Sequence, residues 1–132
     1  MPTTDPLRAT WPATVLVADD EPAARRLLRR ILEPAGYTVL EAATGKEAVA
    51  MAEEERPDLL ILDITMPDID GIETTRHLLG RFPEARIIMV TSHGQEPMVM
   101  KALAAGAKGY VLKPVREDRL RDVINKLNRP PK

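Results

Sequence analysis

The sequence predicts an α/β domain built on a doubly wound parallel sheet of five strands with five helices. Three observations lead there. Short apolar runs recur five times, at 14–18, 38–42, 58–62, 86–90 and 109–112, and each has the length of a strand. The first, third and fourth are nearly continuous Val, Ile and Leu, the pattern of strands buried on both faces of a sheet. Between the runs lie segments whose apolar residues recur at helical spacing. Strand followed by helix, five times over, calls for right-handed crossovers and a three-layer α/β/α stack.

Residues 1–13 place Pro2, Pro6 and Pro12 among polar residues, which disfavours helix and ladder pairing and reads as a flexible N-terminal arm. The fold is expected over 14–128, and 129–132 as a tail or the start of a linker. After the first strand, Leu27, Leu28, Ile31 and Leu32 form one apolar stripe; Gly36 then offers a left-handed stop. The second helix begins at a capping box, Thr44 to Glu47, and the third at the similar Asp70 to Glu73. Pro97 falls in the first turn of the fourth helix, where a missing N–H is harmless, and Gly106 follows its end. Leu120, Val123, Ile124 and Leu127 make the stripe of the fifth.

Composition narrows the function. Nineteen basic and 20 acidic side chains leave a formal charge of −1, so no global field drives the chain toward nucleic acid or anionic lipid. The absence of cysteine removes disulfides, thiolate metal sites and cysteine nucleophiles. No aliphatic run approaches the roughly 20 residues of a membrane helix, and the opening residues lack the basic and apolar regions of a secretory signal. The expected compartment is the cytoplasm.

The chemistry gathers at the strand ends, where ligands of such sheets bind. The first strand ends in Asp19-Asp20-Glu21, the third in Asp63, the fourth in Thr91-Ser92 and the fifth in Lys113-Pro114. Three converging aspartates repel one another unless a cation shares the site. Mg²⁺ fits: it takes a few carboxylate oxygens, keeps waters and accepts a phosphate oxygen. Carboxylates with a lysine and a hydroxyl make a phosphate-handling set, in which Asp63 is the nucleophile and Lys113 neutralises the incoming group.

From about residue 14 to 128 the sequence resembles the receiver domains of two-component response regulators. The stretch Asp63-Ile-Thr-Met-Pro-Asp-Ile-Asp-Gly71 is similar to the family's phosphoacceptor loop, and Gly106-Ala-Lys-Gly-Tyr-Val-Leu-Lys-Pro114 to its fifth strand. The resemblance implies a flavodoxin-like sheet of order 2-1-3-4-5. It implies a phosphoprotein labelled on Asp63 by a histidine kinase or phosphotransfer protein, which assists its own phosphorylation and dephosphorylation without being an enzyme in the ordinary sense. It implies Mg²⁺ bound by Asp20, Asp63 and the backbone carbonyl of Thr65, with Asp19 acting largely through water, and Mn²⁺ as a substitute. Lys113 would pair with Asp63 at rest and precede a cis peptide bond to Pro114. Thr91 and Tyr110 would form the switch. A protein output partner, or a second copy, would dock on the face of the fourth helix, fifth strand and fifth helix.

Several positions keep two readings. His93 is a tuner of phosphoryl lifetime or an exposed histidine without a role. Met98, Val99, Met100, Ala102 and Leu103 are a partner surface or extra core filling. Arg25-Arg26 and Arg29-Arg30 could form a DNA patch, but the balanced charge favours a solvated helix face or a docking surface for the phosphodonor. The alternative function is an interaction module of the same fold that works without phosphorylation. A dinucleotide-dependent enzyme is disfavoured by the lack of a glycine fingerprint after the first strand, and an aspartyl phosphatase by Thr65 standing where a second aspartate belongs.

Overall fold

The structure, a computed structural model, describes residues 14–64, 66, 68 and 71–128. Five parallel strands, β1 (Thr14–Ala18), β2 (Thr38–Ala42), β3 (Leu59–Asp63), β4 (Arg86–Thr91) and β5 (Gly109–Leu112), form one sheet in the order β2-β1-β3-β4-β5. Helices α1 (Pro22–Leu32), α2 (Gly45–Glu55), α3 (Gly71–Arg81), α4 (Glu96–Ala104) and α5 (Glu117–Asn128) follow the strands in turn. Among the described residues no helix is long and apolar enough to cross a membrane.

The unbroken apolar runs are explained by what each face meets. Side chains alternate across a strand. Val15, Val17, Ile61, Ile88 and Val90 face α1 and α5, where they pack on Leu28, Leu32, Leu120 and Ile124. Leu16, Leu60, Leu62, Ile87 and Met89 face the other side and pack with Ala48 and Ala52 of α2, Leu78 of α3 and Val99 and Ala102 of α4. Both faces are covered, so neither set is polar. The edge strands differ: β2 and β5 each leave residues partly or fully exposed.

The third strand lies one residue later than its apolar run, at 59–63 rather than 58–62. Asp58 pairs with the start of β1 instead, its N–H donating to the Thr14 carbonyl at 2.8 Å and its Oδ2 accepting from the Thr14 N–H at 2.8 Å. Asp63 is thereby the last residue of the ladder rather than the first beyond it. The expected stop at Gly36 holds, with φ of 103°, but a 3-10 turn at Glu33–Ala35 comes between it and α1. At α2 the Thr44 hydroxyl accepts from the Glu47 N–H as expected, whereas Glu47 reaches back to the N–H of Ala43. The expected cap at Asp70 lies outside the described residues.

The arginines of α1 divide in two. Arg25 and Arg29 bind the carboxylate of Glu41 on β2, at 3.0 and 2.7 Å, while Arg26 and Arg30 are exposed. The first pair therefore fixes α1 to the edge strand. Bonding to Arg29 and then Arg25 outweighs burial and holds the Glu41 carboxyl below its ordinary value. A lowered folded value places the stabilisation above the ordinary carboxylate range and loses it as pH falls through that value. Glu41→Gln is expected to cost about 0.5–1.5 kcal/mol in urea unfolding at neutral pH, with the gap to the parent closing below about pH 4.

Candidate functional site

The sheet ladder continues past the strands and fixes the residues just beyond them. The N–H of Asp19 donates to the Ala42 carbonyl at 3.1 Å, that of Ile64 to Val90 at 2.9 Å, and that of Lys113 to Thr91 at 2.7 Å. Asp19, Asp63 and Lys113 are thus placed by main-chain bonds before their side chains interact. Arg25 adds a further tie, donating to the Asp19 carbonyl at 2.6 Å. Within the loop Asp19 Oδ1 accepts from the Glu21 N–H at 2.9 Å, a local turn that presents the acid pair.

Asp19, Asp20 and Asp63 come together with one carboxylate oxygen of each within 4.8 Å of the others. Asp19 and Asp63 are buried, at 1% and 4% exposure, and Asp20 is exposed. Among the described residues one cationic side chain, that of Lys113, forms ion pairs with this group. Lys113 Nζ stands 2.7 Å from Glu21 Oε1, 3.1 Å from Asp19 Oδ2 and 3.2 Å from Asp63 Oδ2. The contact with Asp19 is within ion-pair reach but off the line of a directed bond, so Asp19 Oδ2 is buried without a hydrogen-bond partner. Burial opposes the charge on Lys113, but Glu21, Asp19 and Asp63 outweigh it and raise its pKa. The same ammonium lowers that of Glu21. The peptide bond from Lys113 to Pro114 is cis.

Converging carboxylates with an unsatisfied buried oxygen are a hard-cation donor set, and one ammonium does not balance three aspartates and Glu21. The residues therefore fit Mg²⁺. The Thr65 carbonyl expected to complete the ligands lies outside the described residues.

Thr91 ends β4 at 1% exposure, its hydroxyl donating to Gln95 Oε1 at 2.9 Å. Tyr110 is 46% exposed on β5. Met100, Leu103 and Leu112 are exposed on the neighbouring surface, while Val99 and Ala102 are buried, so α4 both fills core and presents apolar side chains outward. His93 is exposed. Beside Lys113 a cleft of about 340 Å³ opens, lined by Ala24, Leu27, Leu28, Val90, Pro114 and Val115.

Three participants were not assigned from the sequence. Glu21 was visible in the acid triplet, and its contact with Lys113 follows once the first and fifth strands are set in one sheet with only β3 and β4 between them. Asp68 accepts from the N–H groups of Gly45 and Lys46, both at 2.9 Å, tying the loop after Asp63 to the start of α2. Gln95 had no local signal, since its role depends on a side chain folding back over its own turn.

Comparison with known proteins agrees with this geometry. Residues 15–125 match the model of the response regulator receiver domain. The chain is 39% identical over 116 residues to the chemotaxis protein CheY of Thermotoga maritima, covering 87% of this chain and 97% of that protein. It is 39% identical over 119 residues to the positive alginate biosynthesis regulatory protein of Pseudomonas aeruginosa, covering 88% of this chain but 47% of that longer protein. A solved response regulator receiver domain from Clostridium thermocellum superposes with a TM-score of 0.82 at 31% identity, over 86% of this chain and 92% of that one. The chain belongs to the response regulator receiver domain family, whose members are signalling phosphoacceptors rather than conventional enzymes and generally bind Mg²⁺ at an acidic pocket.

A raised lysine pKa keeps the ammonium and its ion pairs intact below the ordinary lysine value and loses them only as pH rises through the raised one. Reductive methylation at about pH 9, mapped by peptide mass, is expected to modify Lys113 several-fold more slowly than the exposed Lys46, Lys101, Lys108 and Lys126.

Proposed function

We propose that this chain accepts a phosphoryl group on Asp63 from a histidine kinase or phosphotransfer protein, with Mg²⁺, and that the modification switches a partner-binding surface. The observation that carries the reading is the convergence of Asp19, Asp20 and Asp63 within 4.8 Å beside the Lys113 ammonium. A carboxylate oxygen of Asp63 attacks the donor phosphorus, the bond to the donor nitrogen breaks, and an acyl phosphate forms. Lys113 follows the charge from the carboxylate to the phosphoryl oxygens, and Thr91 donates its hydroxyl to one of them. Asp20 and Asp63, with Asp19 through water and the Thr65 carbonyl, would hold the metal. Bound there, Mg²⁺ or Mn²⁺ supplies neutralisation of phosphoryl charge. Hydrolysis returns the Asp63 carboxylate, which makes the chain a participant in both halves of its cycle.

The cleft beside Lys113 joins α1 to the mouth of the site, and supports donor docking there. Output goes through α4, β5 and α5. Met100, Leu103, Tyr110 and Leu112 are its exposed large apolar residues, at 67%, 36%, 46% and 41%. Inward movement of Tyr110 when Thr91 turns to the phosphoryl group would change that surface, for a protein partner or a second copy. The chemotaxis names of the relatives make a flagellar motor switch protein the first output partner to screen. The reading places the chain in the cytoplasm, where its donors are.

Incubation with Mg²⁺ and acetyl phosphate is expected to add one phosphoryl group to the intact mass. Asp63→Asn and chelation of the metal are each expected to abolish the addition. An unlabelled parent, under conditions that label another receiver, would sink the reading and leave the phosphorylation-independent module.

A further inference from the structure

Gln95 sits between β4 and α4 and is half-buried. Its Oε1 lies 2.7 Å from the Ser92 N–H and 2.9 Å from the Thr91 hydroxyl. The backbone N–H of Ser92 only donates, so the side-chain atom facing it is the amide oxygen and not the amide nitrogen. The Thr91 hydroxyl must then donate to that oxygen too. A hydroxyl has one hydrogen, and here it is committed to Gln95. The alternative acceptor, the Ser92 carbonyl, is 3.4 Å away.

We propose that Gln95 is a positioning residue that latches the Thr91 hydroxyl in the unphosphorylated state, so that a phosphoryl group on Asp63 must compete with the Gln95 amide for that hydrogen. The inference rests on the phosphoacceptor reading and deepens it by naming what opposes the switch. The latch has a second end. The Gln95 carbonyl accepts the N–H groups of Met98 at 2.9 Å and Val99 at 3.1 Å, the first turn of α4. Gly94, at φ of 90°, takes the left-handed conformation that turns the chain back so that the Gln95 side chain reaches Thr91. Release of the hydroxyl therefore removes one of the two bonds that hold the side chain of the residue from which α4 starts, about one and a half turns before the exposed Met100 and two before Leu103.

The test is a double-mutant cycle read by binding of beryllofluoride, a phosphoryl mimic, in the presence of Mg²⁺. Gln95→Met keeps the length of the side chain and removes the acceptor; the exposed Ser92 N–H passes to water. Without its partner the buried hydroxyl is left poorly satisfied at rest, and the beryllofluoride Kd is expected to fall about 2- to 12-fold, the worth of one hydrogen bond. In a Thr91→Val background the same Gln95 substitution is expected to leave the Kd unchanged. A slowly exchanging Thr91 hydroxyl proton, visible by NMR in the unliganded parent and absent in Gln95→Met, is the signature that a loop-shaping role alone would not give. An unchanged Kd in Gln95→Met, or an equal change in both backgrounds, overturns the latch while the parent still binds the mimic. A parent that binds no beryllofluoride overturns the phosphoacceptor reading, and the latch falls with it.

Discussion

Negative charge packed where water is scarce is the constraint around which this domain is arranged. Asp19 and Asp63 are nearly fully buried, Asp20 stands beside them, and Lys113 is the cation that reaches Asp19, Glu21 and Asp63 together. Buried carboxylates repel each other and resist ionisation unless opposite charge is near. A lysine three to four carboxylates deep leaves a deficit, and Asp19 Oδ2 is its visible residue, an oxygen with no directed donor. The site is thus poised to take positive charge at rest.

Holding such a group together requires a frame that does not yield, and the sheet supplies it. β1, β3 and β4 are central, covered on both faces, and their ladder bonds extend through Asp19, Ile64 and Lys113. The charged atoms sit at the ends of elements that have little freedom to move apart. Gly71 belongs to this frame as well. A Cβ there would stand 2.6 Å from the Asp63 carbonyl oxygen and 2.7 Å from Ile64 Cα, so α3 starts against the backbone at the end of β3 only because the side chain is missing. Thr91, at the end of β4, and Tyr110, on β5, stand on the same frame.

Much of this was legible in order. Continuous Val, Ile and Leu can be written only where both sides are covered, so the runs at 14–18, 58–62 and 86–90 announced themselves to within a residue of β1, β3 and β4, and the acids, hydroxyl and lysine at the strand ends followed. The strand order itself came from resemblance, because hydrophobic pattern carries no information on which strands are neighbours. What escaped was of one type. Asp58 looked like part of a strand until its bonds to Thr14 were seen, Arg25 and Arg29 looked like a solvated or docking face until Glu41 was seen across from them, and Glu21 was no more than the third acid after the first strand. Each depends on a partner 12 to 92 residues away in the chain. Gln95 escaped for the opposite reason, its partners being too local for any periodicity to register.

Asp68 gives the loop a second attachment. Its two carboxylate oxygens take the first N–H groups of α2, at Gly45 and Lys46, where the helix dipole favours an anion. Through Asp68 the chain beyond β3 is thus moored to a helix that packs over β1 and β2, as well as to its own neighbours. Any displacement of α2 pulls on that mooring. A helix that carries none of the site's chemistry becomes, through two hydrogen bonds, one of the bodies that sets its shape.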